Sequence, residues 1–222
     1  MQQFIREERQ HIGYWRRLNR LTRPEWYENA DRRIIRFSPL ARGPLRILTS
    51  RPHWFPVVFW VMLALEERSL DISRRCLRMD PSQIEKTYRA VYQHHMQDES
   101  RHVQLDRYLI DRFYATLPRR WRRLNARLLA MMLGRLFLRP SHSAVRVARR
   151  LAAECVELKP QLPVMIRQLH EVGDSAEYHE MMYSRKTTPL TFALFDRFEE
   201  MHRMQHVLQS YTPHSTARLY NE

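Results

Sequence analysis

A chain of 222 residues with 44% apolar content can bury a sizeable core and fits one or at most two domains. Its four glycines include no glycine-rich phosphate loop, which sets a dinucleotide-binding fold aside. The net charge of +14, mostly arginine, points towards an anionic partner: an acidic protein, a nucleic acid or a membrane surface.

Residues 3–20 read as a basic amphipathic helix with Phe4, Ile5, Ile12, Tyr14, Trp15 and Leu18 as its apolar members. The N-terminus has no signal-peptide apolar run, and Cys76 and Cys155 are far apart, so a reduced, cytoplasmic protein is expected. Pro24, Pro39, Pro44, Pro52 and Pro56 break the next stretch into wrapping segments. A long helix then runs from Pro56 to about Arg78. Its apolar run over 55–65 is shorter than the ~20 residues that span a bilayer. Asp80-Pro81-Ser82 marks a break, and a second long helix covers about 82–117. Residues 119–138 are helical and very basic at first. Pro140 to Ser143 restart the chain, and a helix follows over about 144–158. Residues 161–188 are helical in part, broken near Gly173. A last helix spans about 189–211. The expectation is one all-α domain, 1–222: an N-terminal helix and wrapping segment (1–55), a helix bundle (56–211) and a tail (212–222).

The chemistry-bearing motif is Glu-x-x-His. With 16 Glu and 11 His, about one such spacing is expected by chance, and three occur, at 8–11, 99–102 and 199–202. On a helix, residues i and i+3 share a face, so each pair aims a carboxylate and an imidazole at one point. Two such helices, plus an inward Glu from each of two more, make the ligand set of a four-helix di-metal carboxylate site. The pairs Glu99/His102 and Glu199/His202 alternate with Glu66 or Glu67 and with Glu154 or Glu157 in the required order. Glu66 lies nearer than Glu67 to the face of Met62, Leu65, Ser69, Ile72 and Cys76. Glu154 shares a face with Val147, Leu151 and Leu158, whereas Glu157 lies with Arg146 and Arg150. The predicted set is therefore Glu66, Glu99, His102, Glu154, Glu199 and His202. His95, Asp106 and His206 stand one turn from these ligands and are expected around them, with Asp106 accepting the spare proton of His102. Carboxylates with few imidazoles suit iron, or manganese, better than zinc.

The segment His95-Met-Gln-Asp-Glu-Ser-Arg-His102 resembles the Asp-Glu-x-x-His helix of the ferritin-like di-iron oxygenases, and within them the para-aminobenzoate N-oxygenase family. The resemblance, over about residues 55–210, implies a ferritin-like four-helix bundle with flanking helices. It also implies two irons and O2 as co-substrate, with oxidation of an arylamine or related compound. That family carries a further histidine one turn before the glutamate of its last ligand helix. Before Glu199 that position is Phe195, and the comparable residue here is His95.

The expected activity is O2-dependent oxygenation or desaturation of a small or carrier-tethered substrate, with an external electron donor. The basic surface, notably Arg119, Arg120, Arg122 and Arg123, would dock an acidic electron-transfer or carrier protein. The competing reading is a non-catalytic basic protein that binds nucleic acid or another polyanion without metal. Iron storage is a third, and would require assembly into a shell. A dimer is one assembly that the sequence allows.

Overall fold

The computed structural model describes residues 2–27, 39–138 and 143–214. They form α1 (Gln2–Thr22), α2 (Pro24–Tyr27), α3 (Pro39–Ser50), α4 (Val57–Arg78), α5 (Lys86–Leu109), α6 (Arg119–Met132), α7 (Ser143–Glu154), α8 (Leu162–Gly173), α9 (Ala176–Met182) and α10 (Pro189–Arg197). Wide π turns prolong α5 (Ile110–Tyr114) and α6 (Leu133–Phe137), and tight 3-10 segments cover Val156–Gln161 and Glu199–His206. There is no strand among the described residues, so the chain is the all-α, ferritin-like bundle expected. The expected wrapping at 28–38, the restart at 139–142 and the tail at 215–222 lie outside the described residues.

The central unit is the antiparallel pair α4 and α5, joined by the break at 79–85. Asp80 closes that turn, accepting the Ser82 N–H at 2.8 Å, so α5 starts later than the proline alone suggests. Glu85 then caps α5, accepting the N–H of Thr87 (2.8 Å) and of Tyr88 (3.2 Å). At the other end of the pair, fully buried Asn125 of α6 does the capping. Its side-chain oxygen takes the Val57 N–H at 3.0 Å, and its amide nitrogen donates to the carbonyls of Trp54 and Trp121.

The apolar side of α4 carries Val57, Trp60 and Leu63, all fully buried. Trp60 stacks on Phe195 (5.6 Å between ring centroids) and meets Tyr114 and Phe198 edge-on. This aromatic contact corrects the predicted 189–211 helix. Phe198 leaves the helical region (φ −113°, ψ 110°) to enter the core, and α10 ends at Arg197. Residues Glu199–His206 continue as a 3-10 segment against α6.

Glu67 of α4 is turned to the C-terminal layer. It is buried, and its two oxygens accept the N–H groups of Leu190 (2.8 Å) and Thr191 (2.7 Å), capping α10 from outside. Burial pushes its carboxyl above the ordinary range, and the α10 N–H groups pull it back. Adjacent residues on a helix point about 100° apart. With Glu67 committed to α10, Glu66 is left facing another way. Replacing Glu67 by Ala strands two N–H groups and should cost about 1–3 kcal/mol of stability. A lowered urea midpoint with unchanged metal binding is the expected result.

Candidate metal centre

Helices α1 and α5 pack side by side and run antiparallel: Phe4 lies on His102 (4.4 Å), His11 on His95 (4.4 Å) and Trp15 on Tyr92 (5.3 Å). Each helix carries the same five-residue pattern, an acid followed by Glu-x-x-His: Glu7-Glu8-x-x-His11 and Asp98-Glu99-x-x-His102. Antiparallel pairing turns that repeat into a locally two-fold arrangement. The leading acid of each helix reaches the histidine of the other. His11 Nε2 is 3.0 Å from Asp98 Oδ2, and His102 Nε2 is 2.9 Å from Glu7 Oε2. Arg101 holds the two leading acids together, donating to Glu7 Oε1 (2.7 Å) and Asp98 Oδ1 (2.6 Å).

With both Nε2 atoms so engaged, both Nδ1 atoms point inward. His102 Nδ1 lies 2.9 Å from Glu99 and 3.3 Å from Glu8. His11 Nδ1 lies 3.4 Å from each of the same two glutamates. His95, one turn before Glu99, brings its Nε2 to 2.8 Å from Glu99 Oε1, while Ser69 Oγ of α4 sits 3.4 Å from its other nitrogen. Glu66 enters from α4. The donor atoms fall into two overlapping groups, His11/His95/Glu99 and Glu8/Glu66/Glu99/His102, within 4.8 Å of one another in each group.

The electrostatics are those of carboxylates crowded out of water. Hydrogen bonds from His102 and His11 hold Glu8 down at about 2. Burial pushes Glu66 up to about 10, helped by the neighbouring Glu99 and Glu8 charges. Desolvation works against a charged His102, but Glu8, Glu99 and Glu7 outweigh it and raise the imidazole to about 11. A proton on His102 thus supplies positive charge to the carboxylates, and a proton on Glu66 removes one negative charge from among them. Three hard carboxylates and three borderline imidazoles with convergent inward atoms fit divalent iron or manganese.

The structure brings Glu66, Glu99, His102 and His95 of the predicted residues together. It does not bring Glu154, Glu199 or His202 to them. Glu154 ends α7 in an ion pair with Arg150 (2.5 Å). Glu199 is 72% exposed and bound by Arg119. His202 rests on the Asp196 carbonyl (3.2 Å). The Phe198 bend explains both 199–202 positions, because it buries Glu200, paired with Arg122, and turns Glu199 outward. Asp106 is fully buried but does not receive the His102 proton, since Glu99 and Glu7 occupy both nitrogens of that ring. Burial raises Asp106 to about 8. His206 is exposed, away from the cluster. The residues that sequence reasoning passed over are Glu7, Glu8, His11, Asp98 and Arg101. The signal for them was the acid that precedes both true motifs; Phe198 stands in that place before Glu199.

Two outcomes follow for metal binding. Glu8→Ala and His11→Ala should abolish stoichiometric metal uptake, whereas Glu154→Ala, Glu199→Ala and His202→Ala should keep it, as read by elemental analysis. A cation must also displace the protons on His102 and Glu66, so affinity should rise with pH across neutrality and fall on acidification. Calorimetry in buffers of different ionisation enthalpy should show proton release on binding.

A family model described as p-aminobenzoate N-oxygenase AurF matches residues 1–154, which include α1, α4 and α5 and exclude Glu199 and His202. No curated protein and no solved structure gives a significant match. With more than two thirds of its length matched, the chain belongs to the p-aminobenzoate N-oxygenase family.

Proposed function

We propose that this protein is a non-haem di-iron oxygenase that uses O2 to oxidise a small organic substrate, with N-oxygenation of an arylamine as its chemistry. The observation that supports it is the convergence of Glu8, Glu66, Glu99, His11, His95 and His102 from three helices of a chain in an oxygenase family. Those six residues would hold the metal, and bound iron would supply the redox chemistry that activates O2. The protein's own part is positional and electrostatic. Glu7 and Asp98 fix which nitrogen of each histidine faces inward, and Arg101 fixes both acids. Phe4 covers one side of His102, and the core around Trp60 and Leu63 backs α4, which limits water around the donors. Glu8, 37% exposed, marks the open side from which a substrate can approach.

Formation of an arylhydroxylamine and water from the amine and O2 consumes two electrons and two protons, so an external donor is required. Arg120, Arg123 and Arg127 lie along the exposed side of α6, and we assign that face to an acidic donor protein. The polyanion reading draws less support, because Arg119 and Arg122 of the same run are engaged by Glu199 and Glu200.

The test is to load the protein anaerobically with ferrous iron, add 4-aminobenzoate and O2, and analyse products by mass spectrometry. One added oxygen on nitrogen, lost in Glu99→Ala, is expected. Iron-loaded protein that consumes O2 yet leaves a panel of arylamines untouched would overturn N-oxygenation. With an acidic ferredoxin as donor, reversing Arg120, Arg123 and Arg127 to Glu should raise its KM and flatten the salt dependence.

A further inference from the structure

A row of oxidisable side chains leads outward from the donor cluster and has no ligand role. Trp15 stands one turn after His11 on α1, and its ring lies 6.0 Å from that of His95, edge to face at 72°. Tyr92, three residues before His95 on α5, lies 5.3 Å from Trp15 at 70°. The free thiol of Cys76 sits on α4, the helix packed along α5, where burial and that thiol together raise the Tyr92 phenol. Each of the three is half-buried, and each comes from a different helix of the site. Indole, phenol and thiol are the side chains most readily oxidised by one electron, and here they stand in that order from the cluster outward. The two imidazoles next to them, His11 and His95, lie with ring centroids 4.4 Å apart.

We propose that Trp15, Tyr92 and Cys76 form a one-electron relay that fills the site with electrons when O2 is reduced there without substrate. The inference rests on the di-iron reading. Reduction of O2 to two waters takes four electrons and four protons. Two ferrous ions becoming ferric give two electrons, and two passages of the relay give the others. In each passage the Trp15 indole gives up one electron and regains it from Tyr92, whose phenol also loses its proton. Tyr92 recovers both from the Cys76 thiol, and a small-molecule thiol restores Cys76. Two such thiols end as one disulfide, having supplied two electrons and two of the four protons; water supplies the other two.

The experiment compares the wild type with Trp15→Phe, Tyr92→Phe and Cys76→Ser, which keep the packing and remove the oxidisable group. Each is loaded anaerobically with ferrous iron, its iron content is measured, and it is mixed with O2 without substrate and freeze-quenched. Electron paramagnetic resonance reads radicals, and peptide mass spectrometry reads oxygen added to His11 and His95. The wild type should show a tyrosyl signal. Cys76→Ser should prolong it several-fold, and Tyr92→Phe should replace it with an indole signal. Trp15→Phe should lose both and gain several-fold more oxidised histidine, with iron content unchanged throughout. Radical yield and histidine oxidation equal to wild type in iron-replete Trp15→Phe or Tyr92→Phe would overturn the relay. Failure of the wild type to bind iron would overturn the di-iron reading, and the relay with it.

Discussion

Charge neutralisation inside the bundle is the constraint on which the rest of the structure depends. Five carboxylates, from Glu7, Glu8, Glu66, Asp98 and Glu99, converge between three helices, and at least Glu99 is almost fully buried. Anions removed from water are costly unless paired. The structure answers with three imidazoles inside and one guanidinium outside. His102 is held well above the usual histidine range, against its burial His11 is raised by Glu8 and Asp98, and Arg101 bridges the outer acids. The same arrangement that tolerates protons is suited to accept divalent cations in their place, so a metal would favour the charged form of Glu66, which burial and the neighbouring Glu99 and Glu8 charges push up to about 10.

Helix direction follows from that constraint. Only an antiparallel approach of α1 and α5 lets the leading acid of each motif meet the histidine of the other. Parallel helices would place acid beside acid and histidine beside histidine. The α4–α5 pair then supplies Glu66 at the level of Glu99 and Ser69 at the level of His95. Because Glu67 next door caps α10, the C-terminal layer is anchored to the same turn of α4 that presents Glu66. Site and scaffold are therefore coupled through two adjacent glutamates.

Much of this was legible in the sequence. The long apolar run after Pro56 and the breaks at Asp80 and Pro118 located α4 and α5. Glu66, Glu99 and His102 were named from helical spacing alone. Spacing is blind to what surrounds a motif, so it grouped Glu199 and His202 with Glu99 and His102, which the structure sets apart. Phe192 and Phe195 made Glu199 look like an inward carboxylate on a continuous helix. Phe198 instead breaks that helix, since burying its ring against Trp60 and Tyr114 outweighs two further turns of hydrogen bonds. The basic face of α1 masked Glu8 and His11, which lie on its other side.

On the proposed reading, a metal binds between α1, α4 and α5. The most direct measurement is anomalous diffraction at the iron edge from crystals of the protein loaded with ferrous iron under argon. The account predicts peaks among Glu8, Glu66 and Glu99, within bonding distance of Nδ1 of His11 and His102 and Nε2 of His95. A peak beside Glu199 and His202, with none between α1 and α5, would contradict it.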